Sequence, residues 1–237
     1  MTFVGLVSFL YMCGRYTLVI DKSTIERRFG ARFYTAHAEY EPTYNAAPSQ
    51  MLPIIRTHRP DTIEFARWGF WPEDWKRSYR MHPQISARLE TAATKPMFAN
   101  SFNARHCIVL ADGYYEWKTV GARKQPYRIT LKSGDFFAMA GIYARDPDAF
   151  ETAESNPVNF AILTTTANDA VRHIHDRMPV ILPLGSEKSW LPPNPSGMFF
   201  LPPFPAELLT SYPVSTKMNR ASFNEPDAIK PLEAVIE

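Results

Sequence analysis

The chain has 237 residues, of which 45% are hydrophobic and 14% aromatic, and a formal net charge of +2. This length and apolar content exclude a globally disordered protein and favour one large domain over two small ones. A charge this close to zero also excludes nucleic-acid binding through bulk charge, so any such site must be a local patch. Two cysteines give no disulfide framework and fit a reducing cytosol, where we expect the protein to act.

The first eleven residues are apolar, but they do not have the features of a targeting segment. They lack a basic region and a small-residue cleavage site, and they are too short to span a bilayer, which takes about 20 apolar residues. No later segment is a membrane candidate, so we expect no membrane partner. We treat residues 1–11 as an extension, either a processed segment or the result of a misassigned start, and residues 12–237 as a single domain.

The first elements after Met12 are predicted from local signals. Residues 13–19 are typical of a strand. A short helix follows, because Ser23 and Glu26 have the spacing of a capping box and Gly30 is suited to end it. Residues 44–48 are turn-like in composition.

Most of the remaining chain predicts strands. The predicted strands span residues 52–57, 62–68, 106–111, 115–120, 127–131, 136–143 and 159–165. The first two predict a hairpin, and short turns at Asp112-Gly113, Gly121 and residues 133–135 favour antiparallel neighbours. Residues 168–173 predict a short helix, and the proline-rich stretch 183–205 predicts an irregular connection. The fold class is therefore α+β: a β-dominated single domain with a distorted antiparallel, barrel-like sheet and peripheral helices.

Cys13 is notable for its position directly after Met12. If that methionine were the start and were removed, Cys13 would carry a free α-amine and a thiol, with ordinary pKa values of about 7.7–8.0 and about 8.5. Such a 1,2-aminothiol forms a Schiff base with an aldehyde, and the thiol closes it to a five-membered thiazolidine. For an isolated Met-Cys pair a buried strand cysteine is the simpler interpretation. The choice between a reactive and a structural Cys13 therefore depends on motifs later in the chain.

Six short segments, each weak alone, together resemble the SOS-response-associated peptidase (SRAP) family of abasic-site processing proteins. The segments are Cys13-Gly14-Arg15-Tyr16, Tyr44-Asn45-Ala46-Ala47-Pro48, Ala87-Arg88-Leu89-Glu90-Thr91, Ala111-Asp112-Gly113-Tyr114-Tyr115-Glu116-Trp117, His175-Asp176-Arg177-Met178-Pro179, and Pro213-Val214-Ser215 with Asn219. They occur in the family's order and span nearly the whole chain from Met12, which makes the combination specific.

The resemblance implies a role in DNA damage. Family members bind single-stranded DNA at an abasic site and trap its ring-opened aldehyde through an N-terminal cysteine. The resulting thiazolidine crosslink shields the lesion, and a proposed autoproteolysis exposes the cysteine. The resemblance implies that Cys13 is the nucleophile and that Glu116 and His175 are the acid/base residues. We expect a cytoplasmic monomer, nucleoid-associated when bound to DNA, with no cofactor and no obligate protein partner.

Single-stranded DNA requires cations for its phosphates and surfaces on which its bases stack. The candidate phosphate ligands within the motifs are Arg15, Arg88 and Arg177. Trp68, Trp117 and the turn from Asn45 to Pro48 are candidates for base contacts, although core packing explains Trp68 equally well. Ser86 stands where the family usually has asparagine; it is shorter and has one donor fewer, so we expect slower crosslinking by the same reaction.

Three other interpretations remain open. Class II glutamine amidotransferases also begin Met-Cys-Gly, which would make the protein an N-terminal-nucleophile amidohydrolase. A non-catalytic single-stranded DNA-binding domain would use the same motifs only to shape a groove. The weakest alternative is a zinc site, because His106, Cys107, His173 and His175 have no usual ligand spacing; we expect no metal.

Overall fold

The computed structural model describes residues 13–34, 39–73, 82–145, 158–192 and 201–232. The predictions for residues 1–12 lie outside this part of the chain. The described residues are predominantly β, as the sequence predicted. The helices are α1 Lys22–Phe29, α2 Leu89–Ala92 and α3 Pro96–Ala104. No helix within these ranges has both the length and the apolar composition needed to cross a bilayer.

The strands have between two and ten residues. In chain order they are β1 Arg15–Leu18, β2 Arg32–Phe33, β3 Thr43–Ala46, β4 Met51–Arg56, β5 Arg59–Trp68, β6 Ser86–Arg88, β7 His106–Ala111, β8 Gly113–Val120, β9 Arg123–Leu131, β10 Phe137–Arg145, β11 Val158–Thr166, β12 Arg177–Pro179 and β13 Leu209–Pro213. The β4–β5 hairpin is confirmed, with its turn at Thr57 and His58.

The β-dominated fold class is confirmed, although the strands form two sheets where we expected one distorted barrel-like sheet. The smaller sheet has the order β13-β9-β8-β1-β3, and the larger has the order β12-β11-β10-β7-β4-β5-β2, with β6 beside β11. The larger sheet curves so strongly that β5 also pairs with β11 over two residues. It therefore has barrel-like curvature without being a true barrel. The β2–β5, β5–β11 and β6–β11 pairs are parallel.

Two of the predicted hairpin turns are corners between the sheets. β7 lies in the larger sheet and β8 in the smaller one, so Asp112-Gly113 connects the two sheets. Asp112 accepts hydrogen bonds there from Thr17 and Arg128, and a Cβ on Gly113 would lie 2.8 Å from Arg128 Nε. Residues 133–135 form the second corner, and only the turn at Gly121 joins antiparallel neighbours, β8 and β9. Turn composition does not distinguish a hairpin from a corner, because both need the same backbone conformations.

Several local predictions also need correction. The N-cap of α1 is Asp21, whose side chain accepts from the Thr24 amide at 2.9 Å. Ser23 lies inside the helix, so the predicted capping box is wrong, whereas Gly30 ends the helix with φ 53° as predicted. Of the predicted turn at residues 44–48, residues 44–46 belong to β3 and only Pro48 lies in a turn; residues 168–173 form successive turns and not a helix.

The core has two main layers and a small satellite. One layer lies between the two sheets and contains Tyr16, Trp68 and Tyr114. The second lies on the other face of the larger sheet, under the helices. The satellite covers the outer face of the smaller sheet, around Tyr115 and Met218. Because side chains alternate along a strand, Tyr114 and Tyr115 enter different layers. The same alternation directs the next residue of β8, Glu116, to the same side as Tyr114, inside the molecule.

Candidate functional site

Cys13 and Glu116 lie in contact at the edge of the layer between the sheets. Glu116 is two residues after Tyr114 on β8, so it faces inward and is 1% exposed; Cys13 is 2% exposed. The main-chain nitrogen of Cys13 donates to Oε1 of Glu116 at 2.6 Å. Glu116 therefore does not face the solvent, as an alternating surface strand would place it.

The backbone of Cys13 explains how this contact forms. The antiparallel register of β1 on β8 pairs Arg15 with Tyr115, which carries the residues before Arg15 past Glu116. Cys13 is not part of the predicted strand; its φ of 52° lies in the left-handed region, which non-glycine residues adopt at a cost. This turn directs the Cys13 nitrogen towards the carboxyl group.

Burial changes the acidity of both groups. Loss of solvation raises the pKa of Glu116 to about 8, although hydrogen bonds from Cys13 and Trp117 oppose the shift. Burial, and then the charge and hydrogen bond of Glu116, raise the pKa of the Cys13 thiol well above its usual range. Near neutral pH both groups hold their protons, so the thiol needs a base before it can act as a nucleophile.

Two residues of the segment from His175 to Arg177 act electrostatically on the Cys13 thiol. After burial and Glu116, Arg177 lowers and Asp176 raises the pKa of the Cys13 thiol. Nδ1 of His175 accepts from the Arg177 amide at 3.0 Å and lies 3.0 Å from Oδ1 of Asp176. When the ring is neutral and accepts at Nδ1, its proton is on Nε2.

Arg177 is held by a carboxylate that sequence reasoning did not single out. Its Nη1 and Nη2 donate to the two oxygens of Glu90 at 2.7 and 2.8 Å, and Nη2 also donates to the Thr164 carbonyl at 2.6 Å. Arg177 is only 9% exposed, so the predicted phosphate ligand is largely buried and already paired. Glu90 belongs to the motif that contains Arg88, but nothing in the sequence indicates its partner.

Ser86 and Arg88 reach the same region through β6. Thr164 on β11 pairs with Arg88 on one side and with Pro179 on the other, which places β6 and β12 on the two edges of one strand. Ser86 is half-buried, whereas Arg88 is exposed. The Arg88 side chain makes no hydrogen bond or ion pair to the residues that the structure describes, so its guanidinium is available to an anion.

Arg15 and Asn45 organise the outer face of the smaller sheet. Nη1 of Arg15 donates to Oδ1 of Asn45 at 2.9 Å and to the Met218 carbonyl at 3.1 Å. Asn45 is 1% exposed, and its amide nitrogen is fully used by backbone carbonyls, so it shapes this face without projecting from it. Trp117 remains half-exposed, with Nε1 donating to Oδ1 of Asn219 at 2.8 Å.

Trp68 does not lie on any surface. It is 0% exposed, its Nε1 donates to the Ile85 carbonyl at 2.9 Å, and its ring stacks on Phe160. Of the two interpretations of Trp68, core packing fits the structure and base contact does not. Pro48 is half-buried in the turn before β4, where the Ser49 amide donates to the Trp68 carbonyl at 2.7 Å.

The four residues considered for zinc do not assemble. Within the described ranges, no group of three or more histidine, cysteine, aspartate and glutamate side chains is arranged to hold a metal ion. The two ring nitrogens of His106 contact the Trp190 and Phe102 carbonyls at 2.8 and 2.5 Å. This leaves the histidine in a structural role beneath α3.

Comparison with known proteins gives a consistent result. Residues 12–221 match the family model described as SOS response associated peptidase (SRAP). The chain is 38% identical over 229 residues to the Abasic site processing protein YoqW of Bacillus subtilis, an alignment that covers 92% of this chain and 99% of that protein. It is 30% identical over 200 residues to the Abasic site processing protein YedK of Escherichia coli, covering 78% and 82% respectively.

Solved structures show the same fold. A crystal structure of a protein from Bacteroides thetaiotaomicron aligns with a TM-score of 0.78 at 28% identity, covering 93% of this chain and 100% of that one. A second, from Bordetella bronchiseptica, aligns with a TM-score of 0.71, also at 28% identity, covering 86% and 100%.

Proposed function

Because the chain belongs to the SOS response associated peptidase (SRAP) family, we propose that it processes abasic sites in single-stranded DNA by forming a thiazolidine crosslink through Cys13. The observation that carries this proposal is the 2.6 Å contact between the Cys13 nitrogen and the buried carboxyl of Glu116. In a chain that begins at Cys13, that nitrogen is the α-amine, and it lies beside a buried carboxyl group that can exchange a proton with it.

The first half of the reaction joins the amine to the lesion. The neutral α-amine attacks the aldehyde carbon of the opened sugar, and one amine proton passes to the oxygen to give a carbinolamine. Protonated Glu116 gives its proton to that hydroxyl, which leaves as water. The product is a protonated Schiff base that faces the new carboxylate.

The second half closes the ring and regenerates the acid. The Glu116 carboxylate takes the proton of the Cys13 thiol, and the sulfur bonds to the carbon of the Schiff base. The ring nitrogen ends neutral, Glu116 ends protonated, and one water has been released overall. This order of steps explains how a thiol whose pKa is raised by burial can react. The Glu116 carboxylate that deprotonates it is generated in the preceding step.

His175 is the candidate for opening the sugar. When Nδ1 of the neutral imidazole accepts from the Arg177 amide, Nε2 carries a proton that it can deliver to the oxygen of the sugar ring. Arg88, Arg15 and Trp117 are the candidates for holding DNA, because each is at least partly exposed. Arg177 and Glu90 position the His175 segment, and Ser86 lies on the strand beside it.

The test begins with the N-terminus. Intact mass of the purified protein should begin at Cys13, whether residues 1–12 are removed by autoproteolysis or translation starts at Met12. That protein should form an adduct with single-stranded DNA containing an abasic site that survives SDS. Cys13→Ala should abolish the adduct. Active protein that retains residues 1–12 would contradict the mechanism, since the amine would then be blocked.

The same assay separates the alternative functions. A Cys13→Ser variant keeps the amine, so it should give a Schiff base that borohydride traps but little stable adduct. A non-catalytic DNA-binding domain would retain DNA in native gels and give no adduct in SDS. Release of ammonia from glutamine would instead identify an N-terminal-nucleophile amidohydrolase. The monomeric state and cytoplasmic location remain predictions.

A further inference from the structure

The hydroxyl of Tyr114 is a buried polar group that the mechanism above does not use. Tyr114 is 1% exposed, and its hydroxyl has no hydrogen-bond partner among the residues that the structure describes. Buried polar groups are nearly always paired, and an unpaired one costs stability that a partner would recover. An unpaired hydroxyl beside a reactive centre therefore indicates a group that a ligand completes.

Tyr114 lies next to that centre. Tyr114 and Glu116 are two residues apart on β8, so both side chains project from the same face with their Cα atoms about 7 Å apart. The electrostatic environment agrees: after burial, the charges of Cys13 and Glu116 are the largest influences on the pKa of the Tyr114 hydroxyl. All three residues are at most 2% exposed.

The environment also sets the form in which this hydroxyl exists. Burial and the two neighbouring charges raise its pKa well above the usual range, so it stays a neutral O–H donor at any physiological pH. A fixed donor in a water-excluded pocket stabilises charge that develops on a carbonyl oxygen during nucleophilic attack. Such a donor would contribute little in bulk water, where the solvent can supply the same hydrogen bond.

We propose that the Tyr114 hydroxyl donates a hydrogen bond to the aldehyde oxygen of the opened abasic sugar while the Cys13 amine attacks its carbon. This inference rests on the proposed function. Tyr114 keeps its proton throughout; the oxygen gains its protons from the amine and from Glu116 and leaves as water. Tyr114 is thus a catalytic residue that contacts the substrate oxygen, distinct from Glu116, which transfers a proton.

The cross-strand neighbour of Tyr114 supplies a matched control. Tyr16 pairs with Tyr114 in the β1–β8 register, is equally buried and also has an unpaired hydroxyl. The charges that act on its pKa after burial come from Tyr40 and Cys107, and not from Cys13 or Glu116. Tyr16→Phe therefore removes the same atom from the same layer without touching the proposed contact.

The experiment compares Tyr114→Phe with Tyr16→Phe in the protein whose mass begins at Cys13. Single-turnover crosslinking to abasic single-stranded DNA should slow by about 100-fold in Tyr114→Phe, the lower end of what one such donor contributes. It should not change in Tyr16→Phe. Affinity for DNA with a tetrahydrofuran in place of the abasic sugar, which has no aldehyde, should be the same in both. Neither variant should lower the melting temperature, because each removes an unsatisfied buried group.

The outcomes distinguish this inference from the function on which it rests. If the unmodified protein forms no adduct, the proposed function fails and this inference fails with it. If that protein forms the adduct and Tyr114→Phe forms it at the same rate, only the inference is overturned. Equal slowing in both variants would also overturn it, since the effect would then arise from altered packing between the sheets.

Discussion

Glu90 and Arg177 form a bidentate ion pair, with nitrogen–oxygen distances of 2.7 and 2.8 Å, between α2, which directly follows β6, and the start of β12. The pair is asymmetric, because the Arg177 side chain is 11% exposed and that of Glu90 is 45% exposed. Hydrogen bonds from Arg177 are the main cause that lowers the pKa of Glu90. The pair connects the strand that carries Ser86 and Arg88 to the segment that carries His175.

We predict that Glu90→Gln lowers the free energy of unfolding by roughly 1 kcal/mol, because the half-exposed pair is partly screened while Arg177 stays buried. Urea unfolding at neutral pH measures this. Asp227→Asn is the control, since Asp227 and its partner Lys230 are both mostly exposed, and its effect should be smaller. An Asp227→Asn variant as unstable as Glu90→Gln would show that burial of the arginine is irrelevant.

The buried carboxyl of Glu116 should make stability depend on pH in a defined direction. Its pKa in the folded chain, about 8, lies above the ordinary value of 4.5. The folded state therefore holds a proton that the unfolded state has released, so stability should fall as pH rises from about 4.5 to about 8. Glu116→Gln should lose this part of the slope, and exposed Glu207→Gln should keep it. The measurement is the free energy of unfolding at pH 5, 6.5 and 8, on chains that retain the Met12–Cys13 peptide bond. The prediction is wrong if Glu116→Gln shows the same dependence on pH as the unmodified chain.

Arg88 should contribute one phosphate contact. Arg88→Ala is expected to weaken binding of undamaged single-stranded DNA and to reduce the slope of log K against log salt by about 0.7, the value for one phosphate on a single strand. Arg32→Ala is the control, because the Arg32 side chain is 85% exposed and outside all the candidate motifs. Fluorescence anisotropy at several salt concentrations measures both, and an unchanged slope in Arg88→Ala would place the DNA elsewhere.

Substitution of Trp68 should affect mainly stability, and substitution of Trp117 should affect mainly DNA binding. Trp68→Phe is expected to lower the free energy of unfolding by roughly 1–3 kcal/mol, because it leaves a cavity beside Phe160 and orphans the Ile85 carbonyl. Its DNA affinity should not change. Trp117→Phe should weaken DNA binding with a smaller effect on stability, since the ring is half-exposed. A Trp68→Phe variant that is stable but binds DNA more weakly would contradict this prediction and indicate that Trp68 contacts DNA.

Much of the fold follows from local sequence because its signals are local. Alternation along residues 115–120 and 127–131 predicts the β8–β9 hairpin, and Gly30 predicts the end of α1 because glycine readily adopts the left-handed conformation found there. The motif order likewise identifies the family before any contact is known. These inferences need only the chemistry of neighbouring residues.

The sequence by itself determined the fold class, the family and the residues worth considering. Only the tertiary structure decided which of them are buried and what they contact. Trp68 and Trp117 look alike in sequence, yet one is in the core and the other at the surface. Glu116 acquires its raised pKa from desolvation, and Arg177 acquires a partner 87 residues away. Burial and long-range pairing arise when distant segments pack together, and no local pattern encodes that packing.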